Sequence, residues 1–173
     1  MEDRYLYKAK TTPKEKGEFN NVWVTGNLIV SNGKYYIHPV GNVVNVKNEI
    51  GRIIVMHEVI PDTICRCTGL KDRNGKLIWE NDILMCHGNS EDLVKAVFGE
   101  FNVINAETLE VIDRVIGWHY EVVPKDALSK CEPFCFPMPL TEEYVKTCKM
   151  KVVDNPELLE SEVIQSELYK GKC

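Results

Sequence analysis

The sequence predicts a mainly β protein, all-β to α+β, with an N-terminal β-hairpin region, an SH3-like small barrel in the middle and short C-terminal helices. Short runs of β-branched and aromatic residues recur between residues 19 and 123, and such residues are typical of strands. Asn-Gly pairs at 32–33 and 74–75 favour tight turns between strands. Many short strands at this spacing indicate a sandwich or a small barrel, and the SH3-like assignment is an analogy with that pattern.

The composition is that of an ordinary globular chain. Of its 173 residues, 44% are hydrophobic and 27% are charged. A chain of this length buries roughly 70% of its unfolded surface, so it needs no disulfide or metal to fold. The net charge of −5 is uneven, because residues 1–85 carry 12 basic and 10 acidic residues whereas residues 86–173 carry 9 and 16. An acidic chain has no general attraction for phosphate backbones.

We expect a cytoplasmic protein with no membrane segment. No stretch approaches the about 18 consecutive apolar residues of a transmembrane helix. The N-terminal sequence MEDRY lacks the basic and then apolar layout of a secretory signal. Seven cysteines, an odd number, without such a signal indicate reduced thiols.

Residues 1–61 form the predicted N-terminal β region. Residues 5–7 are a short apolar run that can pair as a strand, and residues 11–17 look like an exposed connection. Residues 22–37 predict a hairpin that reverses at Asn32-Gly33, because both residues adopt positive φ at low cost. Residues 40–49 suggest a short, irregular strand. Residues 52–60 predict a buried strand, which Pro61 ends or bends.

Residues 62–123 form the predicted barrel. A second hairpin joins residues 64–70 to 76–79 around Asp72-Arg73-Asn74-Gly75. The polar turn Glu80-Asn81-Asp82 then begins a strand over residues 83–86. Three further strands are expected at 93–98, 101–104 and 111–123, with Gly99, Asn105 and Gly117 as interruptions.

Residues 124–173 are predicted to be a proline-rich loop and short helices that pack on the barrel. Four prolines lie between residues 124 and 140. Thr141 can cap a helix over residues 142–150, whose acidic first turn suits the helix dipole. Asn155-Pro156-Glu157 begins a second helix in the same way, with proline at the first helical position.

Three stretches together resemble the YopX family, small proteins carried by bacteriophages and prophages. They are LIVSNGKYYI at 28–37, TGLKDRNGK at 68–76 with Ile78, Glu80 and Asp82-Ile83, and NPELL at 155–159. The family usually has Glu-Gly-Asp where this chain has Glu80-Asn81-Asp82, and Asn81 can preserve the turn because asparagine tolerates the left-handed conformation. The segment before Asn155 is shorter than in the family, so the last strand is expected to be missing or rerouted. The resemblance implies a phage or prophage protein in a bacterial cytoplasm, and it implies no reaction or catalytic residue.

Polar and charged residues crowd the two turns of the central block. One interpretation is structural: Asp72 and Asn74-Gly75 form the first turn, and acidic side chains accept backbone N–H groups at the second. The other interpretation is a recognition patch for a protein partner with Trp79 as an exposed anchor, although a tryptophan there is more often in the core. The candidate binding residues are Lys71, Asp72, Arg73, Asn74, Trp79, Glu80 and Asp82.

The cysteines and histidines give no clear catalytic or metal site. Cys65 and Cys67 are two apart on a predicted strand and share one face, but the paired Cys-x-x-Cys motifs of zinc ribbons are absent. Cys86 and His87 are adjacent, so on a strand they point to opposite faces. His119 can reach a thiol only through the fold. Buried, inert thiols are therefore the preferred interpretation, and we expect no cofactor and no metal.

The sequence favours a non-enzymatic accessory protein that binds a protein partner and can form homo-oligomers. No Gly-rich phosphate-binding motif is present. The alternative is a nucleic-acid-binding module, possible but not favoured, that uses the basic N-terminal half. Such a module needs a basic surface with exposed aromatic groups. The residues that offer it are Tyr5, Tyr7, Lys8, Lys10, Lys14, Lys16, Tyr35 and Tyr36.

Overall fold

A computed structural model describes residues 3–13, 21–40, 55–90, 92–105, 107–123 and 137–153. The chain divides into two compact units, Met1–Gly69 and Leu70–Cys173. In the described residues the fold is mainly β, as predicted, with two antiparallel sheets and one α-helix. The predictions of a strand over residues 41–49, of a loop over residues 124–136 and of a helix that begins at residue 155 fall outside these residues.

The first unit contains five strands, in the order β4-β3-β2-β1-β5, of a six-stranded antiparallel sheet. Two short 3₁₀ helices, Asp3–Tyr5 and Pro61–Thr63, accompany it. Its strands are β1 (Tyr7–Lys10), β2 (Trp23–Ser31), β3 (Lys34–Pro39), β4 (His57–Glu58) and β5 (Cys65–Lys71), the last of which continues into the second unit.

The hairpin of β2 and β3 confirms the prediction for residues 22–37. Asn32 and Gly33 have φ values of 50° and 74°, the two left-handed conformations of a type I′ turn. This turn matches the right-handed twist of the strands that it joins. The turn therefore fixes the register, in which Ser31 lies opposite Lys34.

Two predictions near the N-terminus are wrong. Residues 5–7 do not form one strand, because the backbone N–H of Leu6 donates to the carbonyl of Asp3 at 3.0 Å and closes a 3₁₀ turn before β1 begins. Thr11 is not exposed: it is buried and bridges to Val59. Its hydroxyl accepts the backbone N–H of Val22 at 3.1 Å, which satisfies a polar group at the edge of the core.

One core cluster of this unit lies on one face of the sheet. Ala9, Ile37 and Val59 are buried there, and the half-buried apolar residues Tyr7, Val24, Leu28, Tyr35 and Ile64 pack against them. The strand predicted for residues 52–60 is shorter in the structure, since β4 covers His57–Glu58 and residues 52–54 lie outside the description. Pro61 begins a 3₁₀ helix, as its fixed φ favours.

The second unit contains a five-stranded antiparallel sheet with the strand order β10-β9-β8-β7-β11. A hairpin from β5 to β6 (Leu77–Trp79) precedes it and confirms the second predicted hairpin. The remaining elements are β7 (Ile83–Met85), β8 (Leu93–Ile104), β9 (Val111–Val122), β10 (Met138–Pro139), α1 (Glu142–Thr147) and β11 (Lys151–Val152).

Strands β8 and β9 form one long hairpin. The predicted break at Gly99 is wrong, because Gly99 lies opposite Gly117 in a continuous ladder. Neither glycine has a positive φ, and the ladder continues through both of them. The register shifts between Val103 and Ile104, which marks a bulge near the far end of the hairpin.

The core of the second unit lies between this sheet and α1. Its buried members are Ile78, Leu84, Cys86, Val94, Ala96, Leu140, Val145, Met150 and Val152. The Thr141 hydroxyl accepts the backbone N–H of Tyr144 at 3.2 Å, which confirms the predicted cap, but α1 ends at Thr147 rather than at residue 150. Strands of residues 64–123 belong to two different sheets, and the SH3-like barrel is not confirmed. The predicted domain division at 61/62 and 123/124 stays a prediction.

Candidate functional site

Asp72 organises the first turn of the central block. One carboxylate oxygen accepts the backbone N–H groups of Asn74 at 2.8 Å and Lys76 at 2.9 Å, and the other accepts that of Val152 at 3.0 Å. Burial by itself raises the pKa of Asp72, but these three donors and the charge of Lys76 outweigh it, so the pKa lies below its usual value. Gly75 completes the turn with a φ of 81°.

The second turn follows the structural interpretation as well. The Asp82 carboxylate accepts the backbone N–H of Trp79 at 2.9 Å, and the backbone N–H of Asp82 donates back to the Trp79 carbonyl at 3.1 Å. Asn81 has a φ of 67°, so asparagine supplies the left-handed conformation that glycine supplies in the family pattern.

The seven predicted binding residues do not form one exposed patch. Asp72 and Trp79 are buried, Glu80 and Asp82 are half-buried, and the exposed members Lys71, Arg73 and Asn74 lie on the first turn. Trp79 is 8% exposed, so it lies in the core, as the structural interpretation expects, and is not an exposed anchor. Its aromatic ring is a core group that the Asp82 turn holds in place.

A surface that the sequence did not single out lies at the far half of the β8–β9 hairpin. We call residues 97–105 and 107–117 the distal ribbon. Ile116 is 73% exposed and Ile112 is 65% exposed, and Leu109 and Val111 are also exposed. The strong β-branched content of β9 was the available signal, but it identifies a strand and not which of its side chains reach solvent.

The distal ribbon has unpaired strand edges in the part of the chain that the structure describes. Strand β10 pairs with β9 at His119 and Tyr120, and β7 pairs with β8 along residues 93–95. From residue 97 to residue 117 the two strands pair with each other. Backbone N–H and C=O groups along the outer edge of β9 therefore remain available to another strand.

The exposed face of the distal ribbon carries one internal ion pair. The Arg114 Nε lies 2.8 Å from the Glu100 Oε1, and Asn102 lies opposite Arg114. The opposite face carries Phe101, which is 7% exposed and stacks on the His119 ring at 4.7 Å between centroids. One face of the distal ribbon therefore packs against a buried ring, and the other face is exposed to solvent.

Among the described residues, the cysteines and histidines considered above include no activated nucleophile. Burial raises the pKa of the Cys86 thiol to about 12 and also raises the pKa of the Cys148 thiol, whereas a nucleophilic cysteine needs a lowered pKa. His87 does not continue strand β7: it has a φ of 53° in a turn and its side chain is exposed. Strand alternation therefore does not explain the separation of Cys86 from His87.

His119 is the buried histidine of the second unit. Its Nδ1 lies 3.3 Å from the Gly117 carbonyl oxygen, and its Nε2 lies 3.5 Å from the Glu121 Oε1. Since Glu121 is two residues away on the same strand, the contact is local. The ring nitrogens therefore have polar neighbours, as a buried imidazole requires.

The residues of the predicted nucleic-acid surface separate onto different faces. Tyr7 and Tyr35 are half-buried and pack against the core of the first unit. Lys8, Lys10 and Tyr36 lie on the opposite face of the sheet, as the register requires. Lys14 and Lys16 lie outside the described residues.

Comparison with protein families agrees with the motifs of the central turns. The family described as YopX protein matches residues 16–160. The chain belongs to the YopX family. No curated protein and no solved structure matches it. This YopX protein has no helix, among the described residues, with the length and apolar character needed to cross a membrane.

Proposed function

We propose that this YopX protein is a non-enzymatic phage or prophage accessory protein that acts in the bacterial cytoplasm by binding protein. We propose that its first partner is a second copy of itself, which pairs with the outer edge of β9. The observation that carries the proposal is the unpaired, apolar edge of the distal ribbon.

An exposed apolar edge strand is unusual in a protein that stays monomeric. Proteins normally protect such edges with short strands, prolines, lysines or a covering segment. Strand β9 is 12 residues long, contains no proline or lysine, and exposes Ile112 and Ile116. Its one cation in the ribbon, Arg114, is paired with Glu100. Pairing with another strand would satisfy the edge and bury the isoleucines.

The sequence of the edge allows a second copy to pair without bringing like charges opposite each other. In a two-fold symmetric antiparallel pair, the residue at the axis faces its own copy. With Val115 at the axis, Arg114 lies opposite Ile116 and Asp113 lies opposite Gly117, so no like charges meet. An axis at Asp113 or at Arg114 would place like charges opposite each other, which is destabilising.

The solution mass of the intact chain tests this proposal. We expect wild type to sediment at twice the monomer mass of 19.8 kDa or more, and Ile112→Lys/Ile116→Lys to sediment as a monomer. Burial of one isoleucine contributes roughly 1.5–3 kcal/mol, and each copy loses it, so even one substitution should weaken association about 100-fold or more. Both side chains are exposed, so the folded monomer should tolerate the change.

Val30→Lys is the matched control, because Val30 is 59% exposed and lies in the first unit. It adds a lysine to an exposed apolar strand position and should leave the mass of the assembly unchanged. A wild type that stays monomeric at high concentration, or a ribbon variant that assembles like wild type, would overturn the proposal.

A further inference from the structure

Two basic segments of the second unit lie side by side: the first turn of the central block and the residues that lead into β11. The backbone N–H of Arg73 donates to the carbonyl of Met150 at 3.0 Å. The backbone N–H of Val152 donates to the Asp72 carboxylate at 3.0 Å. These two hydrogen bonds join segments that are far apart in the sequence into one surface.

This joined surface is basic although the chain is acidic. Residues 71–76 contain three cations and one carboxylate, and residues 149–152 contain two cations and no carboxylate. The two segments together therefore carry a charge of +4 in a chain whose net charge is −5. Because the rest of the chain is strongly negative, it repels a polyanion, and attraction is concentrated at this surface.

Four cations of this surface have no carboxylate partner among the described residues. The charge of Asp72 is offset within the turn, because its oxygens accept three backbone N–H groups and the positive charge of Lys76 is close to it. The other four cations are all exposed, and none of them forms an ion pair with a described carboxylate. We call these four residues the basic patch: Lys71, Arg73, Lys149 and Lys151.

The composition of the basic patch favours a nucleic-acid backbone over a protein partner. Protein interfaces have an apolar core, in which aromatic residues and methionine are enriched and lysine is depleted. Three of the four patch residues are lysines, and none of the exposed large apolar residues of the described chain lies in either segment. Exposed cations without an apolar core suit phosphate groups, which arginine and lysine contact as charged donors.

We propose that the basic patch binds the phosphate backbone of double-stranded DNA, a function separate from assembly through β9. A duplex carries one charge per about 1.7 Å of its axis, twice the density of a single strand, so clustered cations gain most from a duplex. The basic patch contains no aromatic residue on which an unpaired base could stack, the contact that single-strand sites use. Phosphate contacts need no 2′-hydroxyl group, so DNA is sufficient as the ligand.

Fluorescence anisotropy of a labelled DNA duplex of about 20 base pairs, titrated with the full chain at several salt concentrations, tests the proposal. We expect binding at low salt that weakens as the salt concentration rises. Arg73→Gln/Lys151→Gln removes one cation from each segment and leaves the backbone hydrogen bonds in place. The slope of log affinity against log salt should become shallower by about 1.8 in this variant, since each phosphate contact on duplex DNA contributes about 0.9.

Lys34→Gln/Lys146→Gln is the control, because it removes the same charge from exposed positions outside the basic patch. The two ammonium groups pair with Glu58 and Glu142, so they are engaged within the protein, and their loss should leave the salt slope unchanged. Circular dichroism of each variant verifies that the fold is retained.

Four results would count against the proposal. No binding of the duplex at low salt, or an equal change of slope in the control, would overturn it. Tighter binding of a single strand or of an RNA duplex of equal length would overturn the assignment to double-stranded DNA. Displacement of the duplex by polyglutamate at equal charge concentration would instead indicate an acidic protein partner.

Discussion

Asp72 is the most consequential side chain of the family's central motif, and its replacement gives a quantitative test of the structural interpretation. Asp72→Ala removes three charge-assisted hydrogen bonds. The N–H groups of Asn74 and Lys76 belong to exposed residues and can bind water, at a cost of about 0.5–1 kcal/mol each. Val152 is 6% exposed, so its N–H is left without a partner at a cost of about 1–3 kcal/mol. The expected loss is therefore about 2–5 kcal/mol.

Urea unfolding followed by tryptophan fluorescence measures this loss, with Trp79 and Trp118 as reporters in the second unit. Asp113→Ala is the control, because Asp113 is exposed and its carboxylate accepts one neighbouring backbone N–H, that of Arg114 at 2.7 Å. It should change the free energy of unfolding by less than about 0.5 kcal/mol. A loss below about 1 kcal/mol in Asp72→Ala would refute the inference that the carboxylate holds the turn to β11.

The stability difference between wild type and Asp72→Ala should depend on pH, and the pKa shift of Asp72 determines the direction of that dependence. The pKa of Asp72 is lowered in the folded protein, so the folded state binds fewer protons than the unfolded state over the interval between the two pKa values. Its contribution to stability is complete above the unfolded pKa near 3.9 and is lost as the pH falls through the lower folded pKa. The stability difference between wild type and Asp72→Ala should therefore shrink in acid. A difference that grows in acid would contradict this cause.

Three further substitutions or modifications test separate parts of the account. Gly26→Ala should unfold the first unit in circular dichroism melts, because the added methyl overlaps the His38 carbonyl oxygen on β3, whereas Gly117→Ala adds a methyl in open space and should be tolerated. Asn81→Ala should cost roughly 1–2 kcal/mol in urea unfolding for its left-handed backbone, and Asn81→Gly should not; equal stabilities would contradict the turn. Cys86 should resist alkylation by iodoacetamide near neutral pH in the folded protein, because its pKa is about 12, and it should react in urea. Rapid labelling of the native thiol, mapped by mass spectrometry, would contradict this prediction.

The sequence predicts local features best where backbone chemistry decides them. Asn32-Gly33, the Asn81 turn and the Thr141 cap all follow from groups within a few residues. The break at Gly99 was wrong because glycine weakens a strand without ending it, and a partner strand that lies far along the chain restores the ladder. The local strand propensity of β8 gives no information about which distant strand will pair with it.

The candidate surfaces were harder to predict because they depend on which strand is adjacent and which face is covered. Trp79 and Trp23 are both tryptophans on strands, yet one is 8% exposed and the other 48% exposed. The two outcomes follow from the sheet register, which the sequence of either strand alone does not specify. The exposed edge of β9 likewise depends on β10 pairing with it at two residues.

Cysteine cross-linking at Val115 tests the central claim, that β9 edges of two copies pair, most directly. A residue on the two-fold axis lies about 4.5–5.5 Å from its own copy between Cα atoms, within the range that a disulfide spans. Asp113 would lie about 13 Å from its own copy, beyond that range. Mass spectra of mildly oxidised Val115→Cys should therefore contain a peptide in which a disulfide joins the substituted position of one copy to that of the other, and Asp113→Cys should give none. The absence of that peptide from Val115→Cys, or equal cross-linking at both positions, would contradict the paired edges.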